Sequence, residues 1–176
     1  MTHSKHRHLE TKIFAPDNRQ GLRRMIRYHQ FFDRSIVFTN GCFDVLHAGH
    51  VDLLSHAADL GDVLIVGLNS DDSVRRLKGS LRPLNDQHAR ATMLAALSFV
   101  HVIALFEDDT PENLIRTIVP DVLVKGGDYR SDNIVGAGFV RQNGGRVVTL
   151  PLLQGYSTTD LVNKITNTRN TDGLKE

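Results

Sequence analysis

Five short apolar runs, spaced through 176 residues and separated by helical patterns, constrain the fold of this chain more than any other feature. They are Ile36–Thr39, Val63–Leu68, Val100–Phe106, Val122–Lys125 and Arg146–Leu150. Each is nearly continuously rich in Val, Ile, Leu and Phe. A strand with one wet face would alternate apolar with polar residues, whereas a continuous run marks a strand covered on both faces, as in a parallel sheet.

The intervening segments read as helices. Residues 47–60 place Val51, Leu54 and Ala58 on one stripe, with Gly61 as a stop. Residues 86–98 space Ala89, Met93 and Ala96 helically. Thr110 and Pro111 suit an N-cap and a first turn, and that helix ends by Pro120. Residues 133–142 make a weaker helix, containing Gly136 and Gly138 and closed by the turn Asn143-Gly144-Gly145. Residues 158–168 form the last helix, opened by Ser157, and residues 17–33 a leading helix packed outside the sheet. This order predicts an α/β fold: a Rossmann-like, open, parallel five-stranded sheet, doubly wound into three α/β/α layers with right-handed crossovers. One domain over residues 11–170 is expected, with tails at 1–10 and 171–176.

Composition narrows the function classes. Lys and Arg number 21 against 20 Asp and Glu, and no basic stripe carries interleaved aromatics, so a nucleic-acid partner is not expected. No apolar run approaches the roughly 20 residues that span a bilayer, and the N-terminus lacks a secretory apolar core. Cys42 is the only cysteine, which excludes an internal disulfide and suits the cytoplasm. His3, His6 and His8 form a tract that could bind metal but reads as a solvated tail.

Ligands of open α/β sheets bind beyond the carboxyl ends of the strands, at the topological switch point. After the first run comes "NGCFDVLHAGH", Asn40 to His50. A turn containing Gly41 leads into a helix start, where backbone N–H groups and the helix dipole favour an anion. Gly49 removes a side chain between His47 and His50, and each imidazole can donate to a phosphate oxygen. A polyphosphate cradle is the favoured reading. A metal site is not expected, because neither a His-Glu-x-x-His pattern nor a Cys pair is present; two ordinary surface histidines are the remaining alternative.

Three more stretches fall on the same edge. "KGGDY", Lys125 to Tyr129, places Gly126 and Gly127 for a sharp turn and Asp128 to accept hydroxyl hydrogen bonds, though a plain Gly-Gly turn would look the same. "GYSTTD", Gly155 to Asp160, sets Ser157, Thr158 and Thr159 at a helix start; Ser157 and Asp160 also suit a capping box. "VRRLKGSLRP" concentrates Arg75, Arg76, Lys78 and Arg82 in the loop after the second run, either as an exposed basic face or as a clamp for an anionic substrate or leaving pyrophosphate. "GAGFVR", from Gly136, follows no strand and lacks a third glycine, so it is not a dinucleotide fingerprint.

Taken in order, "NGCFDVLHAGH", "GLNSDDSVRRLKG", "FEDDTPENLI", "PDVLVKGGDY" and "GYSTT" resemble the nucleotidyltransferases of the His-x-Gly-His type, and most of all the adenylyltransferase domain of bacterial ADP-heptose synthases. The similarity runs from about Lys12 to Lys164. His-x-Gly-His marks only the superfamily; "VKGGDY" with "FEDDTPENLI" is specific to the heptose branch. The related glycerol-phosphate cytidylyltransferases carry Arg-Thr-x-Gly-Ile before Ser-Thr-Thr, where this chain has Leu152 to Tyr156.

The resemblance implies transfer of AMP from ATP to D-glycero-β-D-manno-heptose 1-phosphate, with Mg²⁺ arriving on ATP. It implies catalytic roles for His47, His50 and Lys78. It implies nucleotide contacts from Asn40, Gly41, Cys42, Phe43, Gly49, Lys125, Tyr156, Ser157, Thr158 and Thr159, and substrate contacts from Asp44, Asn69, Arg82, Arg90, Gly127 and Asp128. The expected partners are these small molecules, a separate heptose 7-phosphate kinase in the pathway, and a second copy in a homodimer, as relatives often pair. Alternatives are a same-superfamily transferase with another acceptor, such as glycerol 3-phosphate, a non-catalytic nucleotide-binding module, or a histidine-based metal regulator.

Overall fold

Six strands pair in parallel in the order β1-β4-β3-β2-β5-β6. The structure is a computed structural model, described here over residues 5–127, 133–159 and 161–165. The strands are β1 (Ile13–Phe14), β2 (Ile36–Gly41), β3 (Val63–Asn69), β4 (Val102–Phe106), β5 (Val122–Gly126) and β6 (Arg146–Leu150). The chain therefore turns back on itself beside β2, which pairs with β3 on one side and β5 on the other.

The five expected strands are present, and the sheet is larger by β1. Ile13 and Phe14 sit beside Ile103 and Ala104 of β4. Two residues cannot generate a readable apolar run, so tertiary contacts hold this strand. Lys12 does much of that work: its Nζ donates to the carbonyls of Ala95 at 3.0 Å and Val100 at 2.8 Å, where a helix ends.

Helices cover both faces. On one lie α2 (Arg19–Phe31), α6 (Glu112–Ile118) and α7 (Ala137–Gln142), which bury Leu22, Ile26, Leu114, Ile115, Ile118 and Val140 against Phe38, Ile65 and Leu123. On the other lie α3 (Ala48–Ala58) and α5 (Gln87–Ala95), which bury Leu54, Ala57, Ala91 and Leu94 against Val37, Leu64, Val66 and Val124. Continuous apolar strands are thus explained, since alternate side chains enter different cores.

Four local expectations need correction. Residues 71–78 are helical, forming α4 (Asp71–Lys78), because Ser70 accepts from the Ser73 N–H as an N-cap; Arg75, Arg76 and Lys78 thus stand on a helix and not in a loop. Of the expected stripe of α3 Leu54 is buried, but its companions are Leu53 and Ala57 rather than Val51 and Ala58; α5 buries Ala91, Leu94 and Ala95 in place of Ala89, Met93 and Ala96. Both helices hold apolar residues on more than one side, so periodicity alone does not fix their rotation. The cap of α6 is Pro111 rather than Thr110. Finally, Lys5–Glu10 forms a helix, α1, with Leu9 against the α5-side core, where a tail was expected.

Candidate active site

The His47–His50 pair stands where β2 meets α3. Residues 42–47 leave the carboxyl end of β2, and His47 is the N-cap of α3, in extended conformation and without a side-chain capping bond. The cap side chain is thereby free to face outward. The two imidazoles stack, with centroids 3.7 Å apart and planes inclined by 19°. Phe43 backs them, its ring edge-on to His50 at 5.2 Å. Phe43 is buried and holds a left-handed backbone, φ +44°. Such a conformation costs on the order of 1 kcal/mol or more in a non-glycine residue, so the ring contact offsets local strain.

Electrostatics keeps this pair uncharged. Burial, then the neighbouring His47 and Lys78, lowers the His50 pKa to about 4, while the Val45 backbone pulls weakly the other way. Burial lowers His47 as well. The Nδ1 atoms of both rings are shielded from water and have no hydrogen-bond partner among the described residues. Unpartnered buried polar atoms are costly, and the two residues that carry them line a cleft that an anion can enter.

The cleft has two joined lobes. His47, Gly49, Tyr156, Ser157 and Thr159 line the outer lobe, and Asn40, Gly41, Cys42, Phe43 and Lys125 line the inner one. His50, Leu53, Lys78, Leu152 and Thr158 border both. Gly49 is required by crowding: a Cβ there would lie 3.1 Å from the Tyr156 Cβ and 3.2 Å from the His47 ring. Residues 158–159 and 161–165 are helical, so Ser157 to Thr159 bring a second helix start to the same cleft. Burial pushes the Cys42 thiol up and the Lys125 amine down.

Behind the cleft lies a set of buried polar tethers. Asp44 accepts from Arg82 at 2.7 Å and from the backbone N–H groups of Leu84 and Asn85 at 2.6 and 3.1 Å. Burial alone would raise its carboxyl; Arg82 and those N–H groups outweigh burial and hold the pKa below the ordinary value. Arg90, wholly buried, donates to the carbonyls of Cys42 and Asn85 and to the Asp71 carboxylate at 2.6, 3.0 and 2.7 Å. It thus joins the β2 loop, the 82–86 segment and the start of α4, whose far end carries Lys78.

This architecture agrees with what comparison finds. A family model described as cytidylyltransferase-like matches residues 38–164. The chain belongs to the cytidylyltransferase-like family. Among curated relatives, the bifunctional protein HldE of Trichlorobacter lovleyi is 49% identical over 91% of this chain and 32% of its own length. The bifunctional protein HldE of Mesorhizobium japonicum is 57% identical over 74% of this chain and 26% of its own. The chain therefore spans between about a quarter and a third of the length of the curated relatives it matches. A lipopolysaccharide core biosynthesis protein from Thermoplasma volcanium superposes with a TM-score of 0.55 at 25% identity, over 70% of this chain and 99% of that one. A pantoate-beta-alanine ligase from Francisella tularensis, at 18% identity and a TM-score of 0.55 over 87% of this chain and 77% of that one, shares the fold.

In this cytidylyltransferase-like chain most of the expected residues reach the cleft and some do not. Asn40 to Phe43, His47, Gly49, His50, Lys78, Lys125 and Tyr156 to Thr159 gather around one cleft. Asn69, Arg82 and Arg90 stand behind it: Asn69 is buried and donates to the Ser73 hydroxyl, Arg82 is spent on Asp44, and Arg90 has no exposed surface. Asp44 borders the inner lobe, but its carboxylate is turned to the tethers. Gly127, at φ +109°, donates its N–H to Leu150 and closes β5 against β6. Asp128 and Asp160 lie outside the described residues. The basic stretch resolves further: Arg75 pairs with Asp72 and Arg76 with Asp109, leaving Lys78 on the cleft. Sequence reasoning missed Leu53, Leu152 and Leu153 as lining and Asp71 and Asn85 as tethers. The adjacent leucines after β6 were a usable signal; the tethers left none, because their partners are distant in sequence.

No helix among the described residues is long and apolar enough to cross a membrane.

Proposed function

We propose that this protein transfers the AMP moiety of ATP to D-glycero-β-D-manno-heptose 1-phosphate, giving ADP-heptose and pyrophosphate in the cytoplasm. The observation that carries this reading is the uncharged, stacked His47–His50 pair at the start of α3, facing Lys78 and Ser157 to Thr159 across one cleft. The choice of heptose draws on the bifunctional HldE relatives and on "VKGGDY" with "FEDDTPENLI".

The acceptor phosphate is already anionic, so no strong base is needed. Its oxygen attacks the α-phosphorus in line, the bond from that phosphorus to the bridging oxygen breaks, and pyrophosphate leaves. The task is positioning and charge stabilisation. His47 and His50 donate N–H groups to phosphate oxygens, Lys78 supplies a fixed positive charge, and the N–H groups at the start of α3 receive the rest. Asp44, the carboxylate bordering the cleft among the described residues, is occupied by Arg82, Leu84 and Asn85, so a Mg²⁺ ion brought by the nucleotide would be held by phosphate oxygens and water and would offset their charge. The heptose 1-phosphate is supplied by a reaction sequence that includes a heptose 7-phosphate kinase.

The test is pyrophosphate release with ATP, CTP, GTP and UTP, each with heptose 1-phosphate. ATP should be the productive donor, and His50→Ala should lower turnover about 100-fold or more with its melting behaviour preserved. Near-normal release by His50→Ala would exclude this assignment.

A further inference from the structure

Helix α2 breaks two rules of helix electrostatics. Its sequence, RQGLRRMIRYHQF, carries four arginines and no carboxylate. Arg19 opens the helix, where the macrodipole disfavours a cation, and Arg23 and Arg27 stand one turn apart as a like-charged pair. Among the described residues neither Arg23 nor Arg27 has an ion pair or a side-chain hydrogen bond. Their repulsion is not offset inside the fold, and such local conflicts gather at functional sites.

The two side chains border a pocket of about 330 Å³ between α2 and α6. From α2 come Arg23, Ile26, Arg27 and Gln30, the i, i+3, i+4 and i+7 positions of one helix face. The end of α6 supplies Arg116, Thr117 and Val119. Arg116 is braced: Nε and Nη2 donate to the Glu112 carboxylate at 3.2 and 2.8 Å, and the guanidinium carbon stands 4.9 Å from the centroid of the Phe139 ring. Its Nη1 edge takes no part in that brace. Thr117 donates its hydroxyl hydrogen to the Asn113 carbonyl at 2.8 Å, so its oxygen remains an acceptor. Val119 adopts φ +50°, a left-handed conformation that is a true outlier for a β-branched residue. Glycine is ordinary at such a helix end, whereas valine keeps an apolar side chain on the pocket wall.

This pocket does not extend the cleft. Its described lining shares no residue with either lobe. Val119 lies just before Val122, the first residue of β5, so the pocket stands toward the amino edge of the sheet, while the cleft lies beyond the carboxyl ends. Helix α2 also precedes residues 38–164, the stretch that the family model matches.

The lining selects a class of ligand. Two guanidiniums whose Cβ atoms are roughly 5–6 Å apart, with a third across the groove, suit a phosphate dianion, which arginine grips with two parallel N–H groups. The Gln30 amide and the Thr117 oxygen suit hydroxyls, and Ile26 and Val119 suit a C–H surface. Ligand pockets run from roughly 300 Å³ upward, so this one holds a body the size of a single sugar. We infer that the groove between α2 and α6 is a second anion site, separate from the cleft, that takes a small phosphate ester bearing hydroxyl groups. Its occupancy is independent of the transfer reaction proposed above.

The test is a titration of the isotope-labelled full chain, followed through its amide resonances at constant ionic strength. Glucose 6-phosphate, inorganic phosphate and hexaglutamate are the probes, and glucose is the control. Resonances of Arg27, Gln30 and Thr117 report this pocket; those of Gly49 and His50 report the cleft. Glucose 6-phosphate should shift the first set saturably, and Arg23→Gln with Arg27→Gln should weaken that binding about tenfold or more. Both arginines are exposed, so the double variant should melt as the unmodified protein does. Thr117→Val should weaken glucose 6-phosphate about threefold and leave inorganic phosphate unchanged, because it removes only a hydroxyl contact. Shifts that never saturate, that glucose reproduces, or that survive in the double variant overturn the site. Saturable shifts confined to Gly49 and His50 also overturn it, since the phosphate then has only the cleft. Binding of hexaglutamate without either phosphate probe would make the groove a protein-docking surface and overturn the assigned ligand.

Discussion

Arg90 Nη1 donates to the carbonyl of Cys42 at 2.6 Å across 48 positions of sequence. The same guanidinium holds Asn85 and Asp71, so one buried side chain sets the spacing between the nucleotide loop and the helix that carries Lys78.

Replacing Arg90 by Ala leaves a carboxylate and two carbonyls without their partner. Loss of one side of a buried ionic network costs about 3–5 kcal/mol, which should appear as a lower urea midpoint. The Michaelis constant for ATP should rise in the same variant. Arg90→Lys should recover little, because one ammonium cannot reach three acceptors in the fork geometry of a guanidinium. Unchanged stability in Arg90→Ala would contradict this role.

Histidine burial makes stability fall in mild acid. The unfolded chain protonates a histidine near pH 6.5, whereas folded His50 resists until about pH 4. Between those values the unfolded state holds more protons, so stability declines as pH drops from about 6.5 to about 4 and is indifferent to this ring above 6.5. His29, His47 and His101 are shifted in the same direction and add to the slope. Urea midpoints across that range should be flatter in His50→Ala. A bound polyphosphate raises the ring pKa values, so nucleotide binding near pH 6 should take up protons. Calorimetry in buffers of different ionisation enthalpy measures that uptake directly.

Gly49 separates His47 from Tyr156. A methyl group at this position meets both at 3.1 to 3.2 Å, tight enough to displace the His47 ring by a few tenths of an ångström. Gly49→Ala should therefore fold normally and lose about tenfold in kcat/KM for ATP, or roughly 1.4 kcal/mol of transition-state stabilisation. Wild-type kinetics in this variant would mean that the stacked arrangement is not the working one.

Lys12 closes the end of α5 through the carbonyls of Ala95, Leu97 and Val100. Lys12→Met keeps much of the apolar stem and removes the donors, so it should cost about 1–2 kcal/mol, read by thermal melting. Turnover should persist below the new melting temperature, because β1 lies at the sheet edge, with β4 and β3 between it and β2.

The layout of the sheet was legible because β2 to β5 are largely buried and so read as unbroken apolar runs, while the edge strand β6 still turns Val147, Val148 and Leu150 against the two cores. Residues that touch the cleft were legible for a related reason: glycines, histidines and hydroxyls clustered just after strands have few structural uses there. Arg90 was not legible as a tether, since nothing in "QHARAT" announces that its partners are Cys42, Asn85 and Asp71. Asp44 and Arg82 each looked ready for substrate until the fold paired them. Strand β1 was lost for want of length, and α4 because its charged face outweighed its one buried apolar residue, Val74.

The alternation of side chains along β5 has an evolutionary consequence. Lys125 and Gly126 are adjacent in the chain, yet one borders a pocket beside Asn133 and the other packs against Leu53 beneath the histidines. Changes around residues 133–135 can therefore accumulate without disturbing the packing of α3. A lineage can redraw one face of a single strand's carboxyl end while the opposite face, one residue along the backbone and against α3, passes on intact.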